Sequence, residues 1–257
     1  MLDLGSTDRS RAIALEYGAR LYGGAFADDL GSLRDAFLSR TTSEWILCLD
    51  ADELLDEPQV ERIGALLPSL AADVWGVRIR VRDGQRPGSA RLGGHEVRLF
   101  RNRSEIVFQL RSAEGMDCSI SRLGGRVMDS EIEIVCASVP DRSPACYRCR
   151  HTRLKLLHLD LADRRDDASV LFALGKHHFR HGDFFHAECF LNDCLQRSRP
   201  GEAHYRAAAL GLIESHLGKG EPWRAAEVAE HVLKQVPDDG PFRAAVRQLV
   251  PSEGGRP

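Results

Sequence analysis

The stretch SEWILCLDADELLDE, residues 43–57, joins a continuous apolar run to two aspartates separated by one residue. The run WILCL, residues 45–49, has the length and composition of a buried strand in a parallel sheet. Residues just beyond the carboxyl end of such a strand face the crevice where α/β sheets bind ligands. Strand alternation therefore predicts that Asp50 and Asp52 lie on the same side, where paired carboxylates favour a hard cation such as Mg²⁺ or Mn²⁺.

Taken alone, the acidic pair is more typical of solvated residues ahead of a helix. The sequence EPQVERIGALL at residues 57–67 predicts such a helix, and negative charge near its start favours the helix dipole. Two enzyme classes with acids after a strand fit less well. A P-loop enzyme would need a G-x-x-x-x-G-K-[ST] sequence, which the chain does not contain. A D-x-D-x-[TV] phosphatase loop would need Thr or Val in place of Leu54.

The chain changes character near residue 165. Before it, strand-like runs such as MLDL (residues 1–4) and VWGVRIRVR (74–82) alternate with helical patterns such as LGSLRDAFLSR (30–40). From Ala168 to Asp239 the sequence is Ala-rich and helical, without a strand signal. We therefore predict an α/β domain over residues 1–165, a helical domain over 166–240 and a C-terminal tail over 241–257.

The helical part contains a weak internal repeat. Ala187 and Ala225 occupy matching positions 38 residues apart, and each follows a glycine, Gly182 or Gly220. The offset exceeds the ~34 residues of a tetratricopeptide repeat, which places an insertion at RPGEAHY, residues 199–205. Such an array forms a groove for a protein partner, or it caps the first domain. The second alternative arises because an array of only two repeats seldom folds by itself.

Composition restricts the class of protein. Of the 257 residues 43% are hydrophobic and 28% charged, values typical of a soluble globular protein. A formal net charge of -3 gives no reason to expect a nucleic-acid partner. The sequence shows neither a transmembrane segment nor a signal peptide, and its seven cysteines are an odd number, so we expect reduced thiols and a cytoplasmic location.

Three motifs in order identify a family. LDLGSTDRS (residues 2–10), SEWILCLDADE (43–53) and VRLFRN (97–102) together resemble the family 2 glycosyltransferases, over roughly residues 1–240. The resemblance is strongest to the bacterial subgroup with C-terminal tetratricopeptide repeats. It implies a GT-A-like, Rossmann-like mixed-sheet domain followed by an all-α domain. It also implies sugar transfer from a nucleotide-sugar donor, such as a UDP-sugar, to an unknown acceptor, with inversion and a divalent metal.

The resemblance assigns the nucleotide-binding residues. Asp3, which opens the D-x-G-S-T-D motif, would contact the base or ribose, and Gly5 and Ser6 would shape the turn beside it. Asp50 would lie near the ribose and the metal. Arg34, in the helix ahead of the D-x-D strand, would contact the diphosphate or serve a structural purpose.

The resemblance also assigns the chemistry. Asp52 would coordinate the Mg²⁺ or Mn²⁺ ion that bridges the diphosphate, because the leaving group gains negative charge as the sugar carbon becomes cationic. Glu114 occupies the place of the general base that takes the acceptor proton. The expected cofactor is thus one divalent cation.

The sequence departs from the family pattern at several points. Ala113 and Gly115 replace the neighbours of the family's glutamate, and Val135 and Cys136 stand where a metal-binding histidine is expected. Family members also have a strand and a helix ahead of the D-x-G-S-T-D turn, so the resemblance implies an N-terminally truncated, partly degenerate member. The alternative function is accordingly a catalytically inactive relative that binds a protein partner through its helical repeats.

A second metal site is a weaker hypothesis. His177 and His181 are four residues apart on one predicted helix, and His186 and Cys189 are three apart on the next. An antiparallel helix pair would gather these side chains, although the glutamate of an H-E-x-x-H motif is absent.

Overall fold

The described part of the chain forms two compact units. The structure, a computed structural model, describes residues 1–24, 28–83, 95–136 and 144–250. The first unit contains Met1–Val81 and His95–Leu156, and the second contains Arg82–Gly94 and the chain from Leu157 onward. Helix α5, Pro144–Asp163, passes from one unit into the other. The domain limits at residues 165 and 240 stay predictions.

Among the described residues the first unit contains two sheets. A short sheet pairs β1 in parallel with β2, and a larger sheet has the order β3-β6-β5-β7-β4. In the larger sheet β3 and β5 each run antiparallel to β6, and β4 runs antiparallel to β7. The strands are β1 (Leu2–Asp3), β2 (Tyr22–Gly23), β3 (Trp45–Leu47), β4 (Glu53–Leu54), β5 (Val74–Asp83), β6 (His95–Arg101) and β7 (Arg126–Cys136).

The apolar run after residue 44 forms a strand with Ile46 buried at its centre, and the strand is paired antiparallel rather than in parallel. Ile46 lies opposite Phe100 of the antiparallel neighbour β6, and Leu47 lies opposite Leu99. Ile46 and Phe100 belong to a cluster on one side of the sheet, whereas Leu47 and Leu99 belong to a cluster on the other. Side chains of β3 thus pack on both sides of the sheet, and an apolar pattern of this kind does not reveal the direction of pairing. Leu49, which follows the strand, is exposed.

Four helices precede α5 in the described residues of the first unit. They are α1 (Ser10–Glu16), α2 (Leu30–Leu38), α3 (Glu57–Leu66) and α4 (Met116–Arg122). Asp29 caps α2 by accepting a hydrogen bond from the Ser32 amide at 2.8 Å, and Asp56 caps α3 through the Gln59 amide at 3.1 Å. These carboxylates satisfy amide groups that a helix start leaves unpaired, which explains why both helices begin where they do.

From Leu157 onward, the regular structure of the second unit in the described residues is entirely helical. After α5 it contains α6 (Ala168–Arg180), α7 (Phe184–Arg197), α8 (Ala203–Gly218), α9 (Pro222–Gln235) and α10 (Gly240–Leu249). Gly182 and Gly220 follow the ends of matching helices with the same φ of 75°, and the alanines that follow, Ala187 and Ala225, are both fully buried. The repeat with an offset of 38 residues is therefore present in the fold.

The residues assigned to a C-terminal tail contain a helix. Phe242 and Val246 of α10 are buried in a cluster with Tyr205 and Ile213 of α8 and Val232 of α9. The spacing of four residues puts both side chains on one face of α10, so the segment has a core to cover. None of the helices in the described residues combines the length and apolarity that a membrane crossing requires.

Helix α2 is fixed to the segment between β6 and α4, residues 102–115, which we name the Glu114 loop. The Leu30 and Gly31 amides donate to the Arg111 carbonyl at 2.8 and 3.1 Å, and the Phe108 amide donates to Asp35 at 3.0 Å. A Cβ atom at Gly31 would lie 2.4 Å from the Leu110 carbonyl oxygen. Only glycine therefore allows α2 to approach this loop so closely.

We expect Gly31→Ala to destabilise the protein by about 2 kcal/mol, because the new methyl group meets backbone that has little room to move. The control is Gly64→Ala, in the interior of α3, where an added Cβ meets nothing within 4 Å. That change should stabilise by up to about 1 kcal/mol, since alanine is the better helix former. Urea unfolding of the two variants checks both signs, and equal effects would contradict the close approach.

Glu214 makes the stability of the helical unit dependent on pH. Its Oε2 atom is buried on α8 without a hydrogen-bond partner in the described part of the chain, and burial raises the pKa of its carboxyl to about 7. The unfolded chain releases this proton near pH 4.3. The folded state therefore holds a proton that the unfolded state lacks, and stability falls as pH rises from about 4.3 to about 7.

We expect Glu214→Gln to remove this loss, which amounts to at most roughly 3 kcal/mol between pH 5 and pH 8. Glu227→Gln, at an exposed position of α9, serves as the control. Thermal unfolding followed by circular dichroism at the two pH values measures the difference. A pH dependence unchanged by Glu214→Gln would contradict the role of this carboxyl.

Candidate active site

Asp50 is held by two arginines at the end of the β3 segment. Its Oδ1 accepts a hydrogen bond from Arg34 of α2 at 2.5 Å, and its Oδ2 lies 3.6 Å from a guanidinium nitrogen of Arg98 on β6. Burial opposes ionisation of Asp50, but the charges of Arg34 and Arg98 outweigh it and hold the pKa of this carboxyl below its usual value. Asp50 is therefore ionised and compensated by the protein itself.

Arg98 also binds two glutamates beside Asp50. It lies 2.6 Å from Glu53 and 3.1 Å from Glu96, and the Glu53 side chain is only 4% exposed. The other oxygen of Glu53 accepts the Asp50 amide at 2.8 Å, and the Glu53 amide donates to the Asp50 carbonyl. These bonds close a turn over residues 50–53, so the direction of Asp50 is set by an ion pair and a turn together.

Asp52 differs from Asp50 in its surroundings. It is exposed, and its Oδ2 accepts a hydrogen bond from the Cys136 thiol of β7 at 3.4 Å. A strand that continued through both aspartates would put them on one side by alternation. Alternation does not apply here, because β3 ends at Leu47 and the two acids lie in a turn. Each carboxylate accordingly has partners of its own.

The residues present fit a divalent cation at Asp52. A neutral thiol leaves the charge of this carboxylate uncompensated, and Mg²⁺ or Mn²⁺ in phosphate sites needs only one or two protein carboxylates plus phosphate oxygens. Cys136 stands where the resemblance leads one to expect a histidine, and its thiol is a poor ligand for Mg²⁺ or Mn²⁺, which prefer oxygen. The cation would be held by Asp52, with Cys136 beside it.

Asp3 supports the turn that follows β1. Its Oδ1 accepts a hydrogen bond from the Ser6 amide at 3.1 Å, and hydrogen bonding to Ser6 lowers the pKa of the buried carboxyl. Arg11 of α1 lies 3.6 Å from the other oxygen. Gly5 has a φ of 102°, a conformation that favours glycine. The structure thus brings Asp3, Gly5 and Ser6 together in one turn, while a nucleotide contact for them stays a prediction.

Glu114 lies in a tight loop and is paired with Arg153 of α5. Its Oε1 is 3.0 Å from the Arg153 guanidinium, and the side chain is 10% exposed. The residues on either side have positive φ, 60° at Ala113 and 83° at Gly115, and this conformation is strained for alanine. Arg153 also contributes to lowering the pKa of Asp50, after Arg34 and Arg98. One guanidinium therefore acts on both carboxylates.

Sequence reasoning missed several residues of this site. Arg98, Glu53 and Glu96 were not singled out, although a charged residue between the apolar neighbours Val97 and Leu99 is the signal that could have found Arg98. No comparable signal marks Arg153, which lies in a polar helix far along the chain. Arg34 was proposed, and its side chain contacts Asp50 directly.

Comparison with known proteins bears directly on identity. The family model for glycosyl transferase family 2 matches residues 1–133, just over half of the chain. A TPR repeat-containing protein from Synechococcus elongatus is 34% identical over 227 residues, which is 85% of this chain and 55% of that protein. The chain thus spans about half the length of this curated relative.

A solved structure is also similar to the chain. The structure of TarS residues 1–349 from S. aureus is 14% identical to this chain, with a TM-score of 0.41. The match covers 96% of this chain and 81% of the TarS chain. The fold class anticipated from the motifs, an α/β unit with both parallel and antiparallel strand pairs followed by a helical tetratricopeptide-like part, is confirmed. By the match of its first 133 residues, the chain belongs to glycosyl transferase family 2.

Proposed function

We propose that the first unit binds a nucleoside diphosphate sugar and transfers the sugar to an acceptor with inversion. The single observation that carries this proposal is the unequal environment of the two aspartates. Asp50 is neutralised by Arg34 and Arg98, whereas Asp52 is exposed beside a thiol. Asp52 is thus suited to bind a cation, and Asp50 is suited to position arginines.

The donor diphosphate brings negative charge to a site that already holds guanidinium groups. Arg34 and Arg98 contact Asp50 from different elements, and Arg153 adds a third positive charge nearby. A divalent cation on Asp52 would stabilise the charge that the leaving diphosphate gains. Asp3 and its turn are proposed to hold the base or ribose, with UDP as the donor nucleotide.

Glu114 is the proposed general base for the acceptor hydroxyl. In the ligand-free protein it is paired with Arg153, and an ion-paired carboxylate is a weak base. Because Arg153 also acts on Asp50, a diphosphate bound beside Asp50 would compete for this guanidinium. Donor binding would thereby release Glu114 to accept the proton of the acceptor hydroxyl.

A second candidate function has its own supporting observation. Cys136 replaces the family histidine and donates a hydrogen bond to Asp52, an arrangement that needs no cation. In this alternative the first unit is catalytically silent and the helical repeats bind a protein partner. The two candidates differ in one measurable property, nucleotide binding that depends on the metal.

We expect UDP to bind the protein in the presence of Mn²⁺ and to bind at least about tenfold more weakly without it, a difference of about 1.4 kcal/mol. Asp52→Asn should lose the Mn²⁺ dependence, because the amide has the shape of the carboxylate without its charge. Asp56→Asn is the matched control, since Asp56 is also exposed and asparagine still caps α3.

Isothermal titration calorimetry on the three folded proteins measures these affinities. Metal-dependent binding lost only in Asp52→Asn supports the transferase and justifies a screen of UDP-sugars for turnover. Absence of UDP binding by a folded sample, or equal binding by Asp52→Asn and Asp56→Asn, would overturn the proposal in favour of the silent relative.

A further inference from the structure

The turn between α6 and α7 gathers three side chains that bind metal ions. His178 Nδ1 lies 3.0 Å from Asp183 Oδ2, and His186 Nδ1 lies 2.8 Å from the same oxygen. One ligand atom from each of the three residues lies within 4.8 Å of the other two. We name these three residues the His178 cluster; all of them belong to the helical unit.

The His178 cluster differs from the set suggested by the sequence. His177 is buried and its ring packs against His181, with centroids 4.7 Å apart, because the two are one helical turn apart on α6. The neighbouring face of α6 directs His178 toward α7, where it meets His186 instead. Of the residues His177, His181, His186 and Cys189, the cluster therefore includes only His186.

The positions of the cluster residues are fixed by the fold around them. Asp183 caps α7, since its Oδ1 accepts the His186 amide at 3.2 Å, and this leaves Oδ2 directed at the imidazoles. The His178 ring stacks on Phe190 and on His186, and its side chain is only 13% exposed. A site whose ligands are already oriented loses little conformational entropy when an ion binds.

The second repeat has a carboxylate at the position that matches Asp183, and positively charged side chains surround it. His216 and Glu221, each 38 residues beyond His178 and Asp183, also lie 3.0 Å apart. Lys219 and Arg224 lie 3.0 and 3.6 Å from the Glu221 carboxylate and neutralise it. In the first repeat the matching positions hold His181 and His186, so two fixed cations are replaced by imidazoles.

This replacement exchanges permanent positive charges for metal ligands. An imidazole is neutral over much of the physiological pH range, and a metal ion replaces the proton on the ring nitrogen that it binds. Two imidazoles and one carboxylate form the three-ligand set of many zinc sites. Nitrogen and oxygen ligands about 2.0 Å from a tetrahedral ion lie about 3.3 Å apart, close to the observed 2.8 and 3.0 Å.

We propose that the His178 cluster is a binding site for a divalent transition metal of the Zn²⁺ class, with His178, Asp183 and His186 as its protein ligands. The ion links the end of α6 to the start of α7 and supplies the positive charge that Lys219 and Arg224 provide in the second repeat. Because His186 is 56% exposed, a fourth coordination position faces solvent. This site is independent of Asp52 and of the proposed sugar transfer.

Titration of the full chain with Co²⁺ tests the proposal, because the visible absorption of this ion reports ligand type and geometry. We expect about one equivalent to bind with a tetrahedral spectrum that lacks the charge-transfer band of thiolates. Zn²⁺ should displace it, since a tetrahedral nitrogen and oxygen site favours zinc. The titration is repeated in Asp52→Asn, which leaves the His178 cluster intact.

Two variants remove ligands while preserving the fold. His186→Gln changes an exposed side chain, and Asp183→Asn keeps an oxygen to cap α7. Each should weaken Co²⁺ binding by more than about tenfold, a loss that even residues supporting metal ligands produce. His231→Gln, at an exposed histidine of α9, should bind Co²⁺ like the original chain.

The outcomes separate the alternatives clearly. Loss of the tetrahedral spectrum in His186→Gln and Asp183→Asn, with retention in His231→Gln and Asp52→Asn, supports the site. Undiminished binding in His186→Gln, a thiolate spectrum, or loss in Asp52→Asn alone would overturn it and assign the bound ion to other residues.

Discussion

The candidate active site depends on one buried arginine. Arg98 lies on β6 with a side chain that is 11% exposed, and it pairs with Glu53, Glu96 and Asp50. A charge removed from water is tolerated only where partners compensate it, so removing either side of such a pair is costly. The strand that carries Arg98 also pairs with β3, which brings the guanidinium to the point where the D-x-D segment turns. The direction of that turn follows from this ion-pair network.

The network gives the two aspartates different chemical properties. Asp50 is held on the arginines and is fully compensated, while Asp52, two residues later, is exposed and contacts a neutral thiol. Two ionised carboxylates with the same neighbours would repel each other and resist a common orientation. The fold thus pairs the arginines with Asp50 and leaves the Asp52 carboxylate exposed, and the proposed cation site depends on this difference. Cys136, the residue beside Asp52, donates a hydrogen bond to this carboxylate but adds no charge to compensate it.

The helical unit uses one geometry with two sets of charges. The pairs His178–Asp183 and His216–Glu221 occupy matching places in the two repeats with the same separation of 3.0 Å. The residues around them differ: the second repeat has Lys219 and Arg224, and the first has histidines. Comparison of the two repeats thus shows that imidazoles in the first repeat occupy the positions of the Lys and Arg side chains in the second.

Local sequence was sufficient for much of the fold. The caps Asp29 and Asp56, the amphipathic helices and the 38-residue repeat depend on neighbours in the chain or on its period, and these are readable from a single sequence. The motifs around Asp3, Asp50 and Asp52 were likewise sufficient to indicate the family. The helix at residues 240–249 was missed because its apolar face is short and the core that it covers lies in α8 and α9.

Tertiary structure decided how these elements meet. The apolar run at residues 45–49 predicted a strand but not its antiparallel partner, because apolar strands occur in both sheet types. The sequence by itself determined which residue types are available and which elements carry them. Only the folded chain determined which charges share a site, as Arg98 does with Glu53 across 45 residues, because ion pairs between distant segments depend on strand order and helix packing that no local pattern encodes.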